Sequence, residues 1–284
     1  MTAKPVQMTK RALILEGGAM RGLFTAGVLD VFLERCEKFD AIMGVSAGAC
    51  FGCNLKSHQP GRVIRYNMRF AKDSRYCSFR ELLRTGDLFP GEFCYHTLPN
   101  ELDKFDVATF ESDPCEFWVC ATDTATGEPH YEQLDRADYE ALEWIRASAS
   151  MPLVSRPVKL RGREYLDGGI SDGVPLRFME SLGFTDNTVV LTRPKGYRKH
   201  RRAALAFFRP FMSAPVYRAL STRHIRYNAT MDYIDEQEAA GKLMVIRPSA
   251  ALPIGRLCHD PAVMRKVYEL GRKAADIRVN KEEK

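Results

Sequence analysis

Ala41-Ile42-Met43-Gly44-Val45-Ser46-Ala47-Gly48-Ala49 is the stretch on which the rest of the chain turns. Ala41 to Val45 is an apolar run of strand length. Ser46 follows at once, with Gly44 and Gly48 two residues to either side, and Ala47 to Leu55 is small and apolar enough to begin a helix. A strand turning this sharply into a helix holds its turn residue in a strained conformation and pushes the hydroxyl out of the bend. Side chains at positions 44 and 48 would collide across that bend, which accounts for the two glycines. The helix aims its free N–H groups and positive end at the serine, where an oxyanion forms during acyl transfer. Ser46 is therefore a candidate nucleophile. The plainer alternative is a small buried serine in a glycine-rich turn.

Upstream, Arg11 to Glu16 is a short apolar strand ended by Gly17-Gly18-Ala19-Met20-Arg21-Gly22, and Leu23 to Arg35 has near-helical apolar spacing. Strand, glycine-rich loop and helix make an anion site, because backbone amides left open by the turn converge on one point. The dinucleotide fingerprint fails, since Ala19 stands at its second glycine. The P-loop fails because Leu23-Phe24 follows Gly22 where Lys and Ser or Thr are needed. An oxyanion fits better: consecutive strand–turn–helix units of a parallel sheet tend to be neighbours and share one edge, so the Gly17 loop and Ser46 are expected to face each other.

Downstream, Pro60 to Asp113 is irregular: a helix is expected over 61–71, and Pro90-Gly91 and Leu98-Pro99-Asn100 break the rest into loops and short helices. Glu116 to Thr122 is a strand, with His130 to Leu134 able to pair back on it. Residues 138–150 form a helix with Tyr139, Leu142, Trp144 and Ile145 as its apolar members. In Tyr165-Leu166-Asp167-Gly168-Gly169, Asp167 ends a short strand on a tight, open loop; an ordinary turn aspartate is the simpler reading of such a dipeptide. Asp172 is a second carboxylate nearby, and Pro175 opens a helix. Asn187 to Thr192 is a buried strand. Arg193 to Arg202 carries six Lys or Arg in ten residues, with Phe207, Phe208 and Phe211 close behind. Such a run is ordinarily a solvated loop, and beside aromatics it could also seat on anionic lipid. Residues 214–240 are helical, 242–247 form a last strand, and 260–277 a terminal helix.

The 284 residues, 45% hydrophobic, can fill a sizeable core, and no apolar run is long enough for a transmembrane helix. Residues 1–10 read as a disordered lead without an apolar signal core, so secretion is not expected. Eight cysteines without a signal point to reduced thiols in the cytoplasm. Cys50-x-x-Cys53 lacks a second pair at zinc spacing, so both are taken as small buried hydrophobes and no metal or other cofactor is expected. A net charge of +6 permits contact with an anionic membrane surface or acidic substrate and does not demand nucleic acid. Strands alternate with helices, which makes an α/β fold with a mostly parallel central sheet flanked by helices.

Taken in order, strand-EGGAMRG-helix, GVSAG and DGG resemble the bacterial patatin-like phospholipases, and Arg146 to Pro152 (RASASMP) looks like the stretch preceding that family's aspartate. The resemblance covers roughly residues 11–250, with 251–284 as a C-terminal helical extension packed on the same domain. It implies a three-layer patatin-like architecture and a lipid acyl hydrolase working through a dyad. By that likeness Ser46 is the nucleophile, Asp167 the general base, and Gly17, Gly18 and Ala19 the oxyanion loop. Arg21, Gly22, Gly44, Gly48, Gly168 and Gly169 support it. The implied partner is a lipid or other acyl ester, met by a cytoplasmic protein at the inner membrane face through residues 193–211. One departure is Ala19, where the family usually has a third glycine. Two rivals stand beside this reading. One is a Ser–His–Asp esterase using His224 or His259. The other is a non-catalytic lipid- or nucleotide-binding protein that uses the Gly17 loop for phosphate.

Overall fold

The computed structural model describes residues 9–201 and 203–282; the expected N-terminal lead falls mostly outside them, as does Arg202 of the basic run. Eight strands among the described residues form one sheet: β1 (Lys10–Leu15), β2 (Ala41–Val45), β3 (Glu116–Asp123), β4 (Pro129–Gln133), β5 (Val158–Leu160), β6 (Arg163–Asp167), β7 (Phe184–Val190) and β8 (Leu243–Ile246). Their order is β5-β6-β3-β2-β1-β7-β8, with β4 also on β3. From β3 to β8 the pairings are all parallel; β4, β5 and β6 add an antiparallel flank.

The helices are α1 (Gly22–Glu34), α2 (Ala47–Lys56), α3 (Arg62–Arg69), α4 (Phe79–Thr85), α5 (Val107–Ser112), α6 (Tyr139–Ala149), α7 (Leu176–Ser181), α8 (Ala214–Ala239) and α9 (Pro261–Glu282). Successive residues of a strand face opposite sides, and the two cores divide accordingly. Leu13, Leu15 and Ile42 pack into one core with α1, α2 and α9. Ala12, Ile14, Met43 and Val45 pack into the other with Leu176 and Met179 of α7 and Tyr227, Met231 and Ile234 of α8. A sheet covered on both faces explains why its strands read as continuous apolar runs rather than alternating ones. The result is the expected three-layer α/β arrangement. The terminal helix lies against α1 at backbone distance: a Cβ on Gly271 would come within 1.9 Å of the Phe24 carbonyl oxygen.

Several local expectations are corrected. Pro99 does not break the chain into loops; it lies inside a π-helix, Glu92–Leu102. Tyr139 is 67% exposed, stacked on His96 rather than buried, because α6 turns Ala141, Trp144 and Ile145 inward. Pro175 caps α7 instead of opening it. The strand read over 187–192 runs Phe184–Val190. Gly44 and Gly48 are places where no side chain fits, partly because they meet across the bend: a Cβ on Gly44 would lie 2.7 Å from the Gly48 carbonyl carbon and 2.5 Å from Ala49 Cα, and one on Gly48 would meet the Leu15 carbonyl oxygen of β1 at 2.4 Å. The elbow is tight against its own helix and against the neighbouring strand.

Candidate active site

Ser46 leaves β2 with φ 57° and ψ −123°, a conformation that L residues adopt only under strain, costing about 1–3 kcal/mol. Its hydroxyl makes no capping bond to α2. Its backbone N–H is held by Ser148 Oγ at 2.9 Å, and Ser148 Oγ in turn donates to the Cys120 carbonyl at 2.6 Å. The turn is thus tied to β3 and α6, and the side chain is left free to point out of it.

The pairing of β3 brings Asp167 to this point. Residues 118–120 of β3 pair with β2 on one side and β4 on the other; residues 121–122 pair with β4 and β6. Strand β6 therefore takes up the edge of β3 that β2 leaves. It runs the opposite way, so the two strands meet at their C-terminal ends: Val45 lies opposite Cys120, and Asp167 opposite Ala121. The residue after Val45 is Ser46, so its side chain stands beside the Asp167 carboxylate and favours its charged form.

Asp167 is 2% exposed. The Gly169 N–H donates to its Oδ1 at 2.7 Å, Thr122 Oγ1 donates to its carbonyl at 2.8 Å, and its own N–H donates to the Ser150 carbonyl at 2.8 Å. Gly168 approaches the Cys120 carbonyl so closely that a Cβ would stand 2.1 Å from that oxygen. Burial raises the Asp167 pKa above its ordinary 3.8; Arg223, the Ser46 side chain, the Gly169 N–H and Lys199 pull the other way without reversing it. A carboxylate that is more basic than usual and beside a serine hydroxyl can accept its proton. Asp172, the second carboxylate, is engaged elsewhere, accepting from Tyr131 OH at 2.9 Å and the Val174 N–H at 3.2 Å.

The Gly17 loop faces the same point. A Cβ on Gly17 would lie 2.7 Å from Ser46 Cβ, which is how closely loop and elbow approach. Among the described residues, the N–H groups of Gly17, Gly18 and Ala19 have no protein acceptor, as an oxyanion site requires. Glu16, buried at the end of β1, anchors the loop: it accepts from the Thr192 N–H at 2.7 Å and from Tyr227 OH at 2.7 Å. The Arg21 N–H closes the turn on the Gly18 carbonyl at 3.2 Å, and Gly22 begins α1 against Ala47. Ala19 is left-handed, with φ 49°. Ala19→Gly is accordingly expected to raise stability by roughly 0.5–1 kcal/mol without loss of ester turnover, read from thermal denaturation and initial rates. A drop in stability would mean that the methyl group packs usefully.

Two cavities meet at Ser46. One, about 440 Å³, is walled by apolar side chains including Met20, Phe51, Phe89, Leu153, Met212 and Leu220. The other, about 190 Å³, contains Glu16, Arg21, Asp167, Arg193, Lys199 and Arg223. This corrects the reading of Arg193 to Arg202 as surface only in part: Arg193, Tyr197 and Lys199 are half-buried against the site and His200 stands at its rim, while Lys195 and Arg201 are exposed. Cys50 Sγ lies 3.6 Å from Tyr95 OH at the apolar cavity, and burial pushes both Cys50 and Cys53 up to about 12, which suits inert thiols. His259 is turned to the Ala71 carbonyl at 2.7 Å, while His224 borders the polar cavity. Glu16, Ser148, Lys199 and Tyr227 were missed from the sequence. A lone acid closing an apolar strand was the available sign for Glu16, and the RASASMP segment for Ser148; Lys199 and Tyr227 carry none.

The three-layer α/β sheet brings an elbow serine, a buried carboxylate and an open-amide loop together at one edge. Residues 13–179, well over half the chain, match the family model of the patatin-like phospholipases, and the chain belongs to that family of lipid hydrolases. Residues 213–284 match a second model, described only as a domain of unknown function, DUF6363. The chain is similar to the uncharacterized protein YjjU of Escherichia coli K12, 29% identical, covering 96% of this chain and 78% of YjjU. It is also similar to the probable lipid hydrolase 463L of invertebrate iridescent virus 6, 24% identical over 58% of this chain and 62% of the viral protein. Lysophospholipase NTE1 of Candida glabrata is 28% identical over 60% of this chain, which spans only 10% of that larger protein.

Proposed function

We propose that the protein is a lipid acyl hydrolase working through a Ser46–Asp167 dyad. The observation that carries this is the meeting of the β2 and β6 strand ends on β3, which sets the strained Ser46 beside the buried Asp167 in one cavity with the Gly17 loop. Ser46 Oγ attacks the ester carbonyl while its proton passes to Asp167. The tetrahedral oxyanion is held by the N–H groups of Gly17, Gly18 and Ala19. The carbon–oxygen bond to the alcohol breaks, and the alcohol departs with the proton from Asp167, leaving acyl-Ser46. Water then attacks the acyl carbonyl and gives one proton to Asp167; the bond from the acyl carbon to Ser46 Oγ breaks as Asp167 returns that proton to Oγ, and the fatty acid leaves. The apolar cavity is suited to the acyl chain.

A Ser–His–Asp arrangement needs an imidazole between serine and carboxylate; His259 is occupied with Ala71, and Asp167 itself stands beside Ser46. The deciding assay is hydrolysis of p-nitrophenyl esters of increasing chain length by the native protein, Ser46→Ala, Asp167→Asn and His259→Ala. Dependence on Ser46 and Asp167 with indifference to His259 is expected. Turnover by none of these samples, on any ester, would favour the binding-protein alternative.

The same reading places the protein in the cytoplasm, meeting the membrane from inside. Its cysteines are all free thiols. Among the described residues, no helix is long and apolar enough to cross a membrane. The 3₁₀ segment Ala203–Phe211 has no buried residue, and Phe207 and Phe211 are 81% and 76% exposed. Leu205 and Met212, in and beside that segment, border the apolar cavity. Aromatic side chains next to Arg201 and Arg209 suit an anionic interface, and the cavity mouth would then open at the lipid. Phe207→Ser with Phe211→Ser is expected to lower co-sedimentation with anionic vesicles several-fold. Equal binding by native and double variant, or binding indifferent to anionic lipid, rejects the contact.

A further inference from the structure

We infer that the polar cavity beside Ser46 is a seat for a phosphate monoester, so that the substrate is an acyl ester with a small anionic head group. This rests on the hydrolase reading of the same site and adds to it which head group is selected.

The cavity borders five permanently or normally cationic side chains, Arg21, Arg193, Lys199, Arg223 and Arg256, against two carboxylates, Glu16 and Asp167. Glu16 accepts from Thr192 and Tyr227, and Asp167 from Gly169. Arg21, Arg193 and Lys199 by themselves outnumber the two acids, so the excess is positive, and it is held at a cost. Lys199 Nζ lies 3.4 Å from the centre of the Tyr227 ring. Burial, then Arg223, pull its pKa well below the usual lysine range despite the opposing pull of Glu16 and Asp167. Burial, then Arg193, lower that of Arg21. Cations crowded in a desolvated cleft repel one another, and an entering anion relieves each of them at once. Arginine forks match the oxygens of phosphate, whereas a quaternary ammonium would meet like charge.

Size and placement limit the ligand further. About 190 Å³ is below the ~300–1,000 Å³ of ordinary ligand pockets, which favours a small head group. The apolar cavity lies on the other side of Ser46, and both cavities include Ser46, Ala19 and Met151. A carbonyl held at Ser46 would send its chain one way and an anionic leaving alcohol the other. The apolar cavity at the serine, about 440 Å³, takes the cleaved chain.

The test uses three esters of equal chain length: a monoacylglycerol phosphate, a monoacylglycerophosphocholine and an uncharged monoacylglycerol. The native protein is expected to favour the phosphate monoester over each of the others by about tenfold or more in kcat/KM, the scale of one charge-assisted contact. Arg193→Ala, and separately Lys199→Met in case the first variant folds poorly, should reduce that preference by about the same factor. Calorimetry with glycerol 3-phosphate and with inorganic phosphate runs alongside. Glycerol 3-phosphate should bind native protein and Ser46→Ala alike, and more weakly to both cavity variants. Equal kcat/KM for the three esters, or a preference unmoved by either variant, overturns the inference. So does inorganic phosphate binding as tightly as glycerol 3-phosphate, which would make this a free-phosphate site. Failure of the hydrolase reading looks different: no ester is turned over. The head-group seat then stands if glycerol 3-phosphate binding weakens in the variants and falls if it does not.

Discussion

Ser46→Ala is expected to remove ester hydrolysis almost completely, by about a million-fold on the scale of nucleophile loss in serine hydrolases that act as a unit. The loss is chemical rather than structural. Ser46 makes no capping bond to its helix, and the Ser148 contact that secures the turn is made to the backbone N–H, which alanine retains. Folding should therefore survive. The strain survives as well, because alanine is as poorly suited as serine to φ 57° and ψ −123°. Glycine is not, so Ser46→Gly is expected to be just as inactive and more stable by about 1–3 kcal/mol. An inactive, stabilised glycine variant would show that the elbow holds its hydroxyl against a conformational penalty. Residual activity in Ser46→Ala near the native level, with contaminating esterase excluded, would remove Ser46 from the chemistry.

Asp167→Asn is the second large effect. General-base assistance is worth about 100- to 10,000-fold, and a loss in that range is expected in kcat with little change in KM. Asparagine keeps the shape and an acceptor oxygen for Gly169, so the turn should hold. The stability change has a definite sign. The native pKa of Asp167 is raised above its ordinary 3.8, mainly by burial, so between those two values the native state binds the proton more tightly than the unfolded chain. Stability present below the unfolded pKa is lost as pH rises through the folded pKa. At neutral pH the ionised carboxylate is therefore a net cost, and the neutral isostere should melt higher than native protein. The acid limb of kcat/KM in native enzyme should likewise fall at a pH above that of an ordinary aspartate. Reduced activity together with a lower melting temperature would point instead to a structural role.

The site was unequally legible along the chain. Ser46 stood out because an elbow imposes a local pattern: an apolar strand, two residues with no room for a side chain, and a small apolar helix start. The close approach of Gly44 to Gly48 and Ala49 is local and legible, whereas Gly48 is also shut off by Leu15 of the neighbouring strand, and strand neighbours are invisible in a five-residue window. Asp167 read as an ordinary turn aspartate until its place in an ordered set of motifs was considered, because DGG is common wherever a chain turns. Arg193 to Arg202 was misjudged in part, for the same kind of reason. A basic run is usually solvated, and composition carries no information about which cavity a loop folds back over. Glu16 and Tyr227 lie 211 residues apart, and no local rule pairs them.

By itself the sequence determined much of what is local: most of the sheet's strands and the longer helices, that both sheet faces are covered, and where a strained turn presents a hydroxyl. Those properties follow from side-chain periodicity and backbone sterics within a few residues. The tertiary structure decided what meets what. The carboxylate reaches the serine because β6 occupies the edge of β3 that β2 vacates and runs against it, bringing two strand ends together at Cys120 and Ala121. The raised basicity of Asp167, the open amides beside it and the cationic cleft likewise exist only once burial removes water and sets distant charges side by side. Desolvation and Coulomb interaction depend on distance in space, and the chain order alone does not contain that distance.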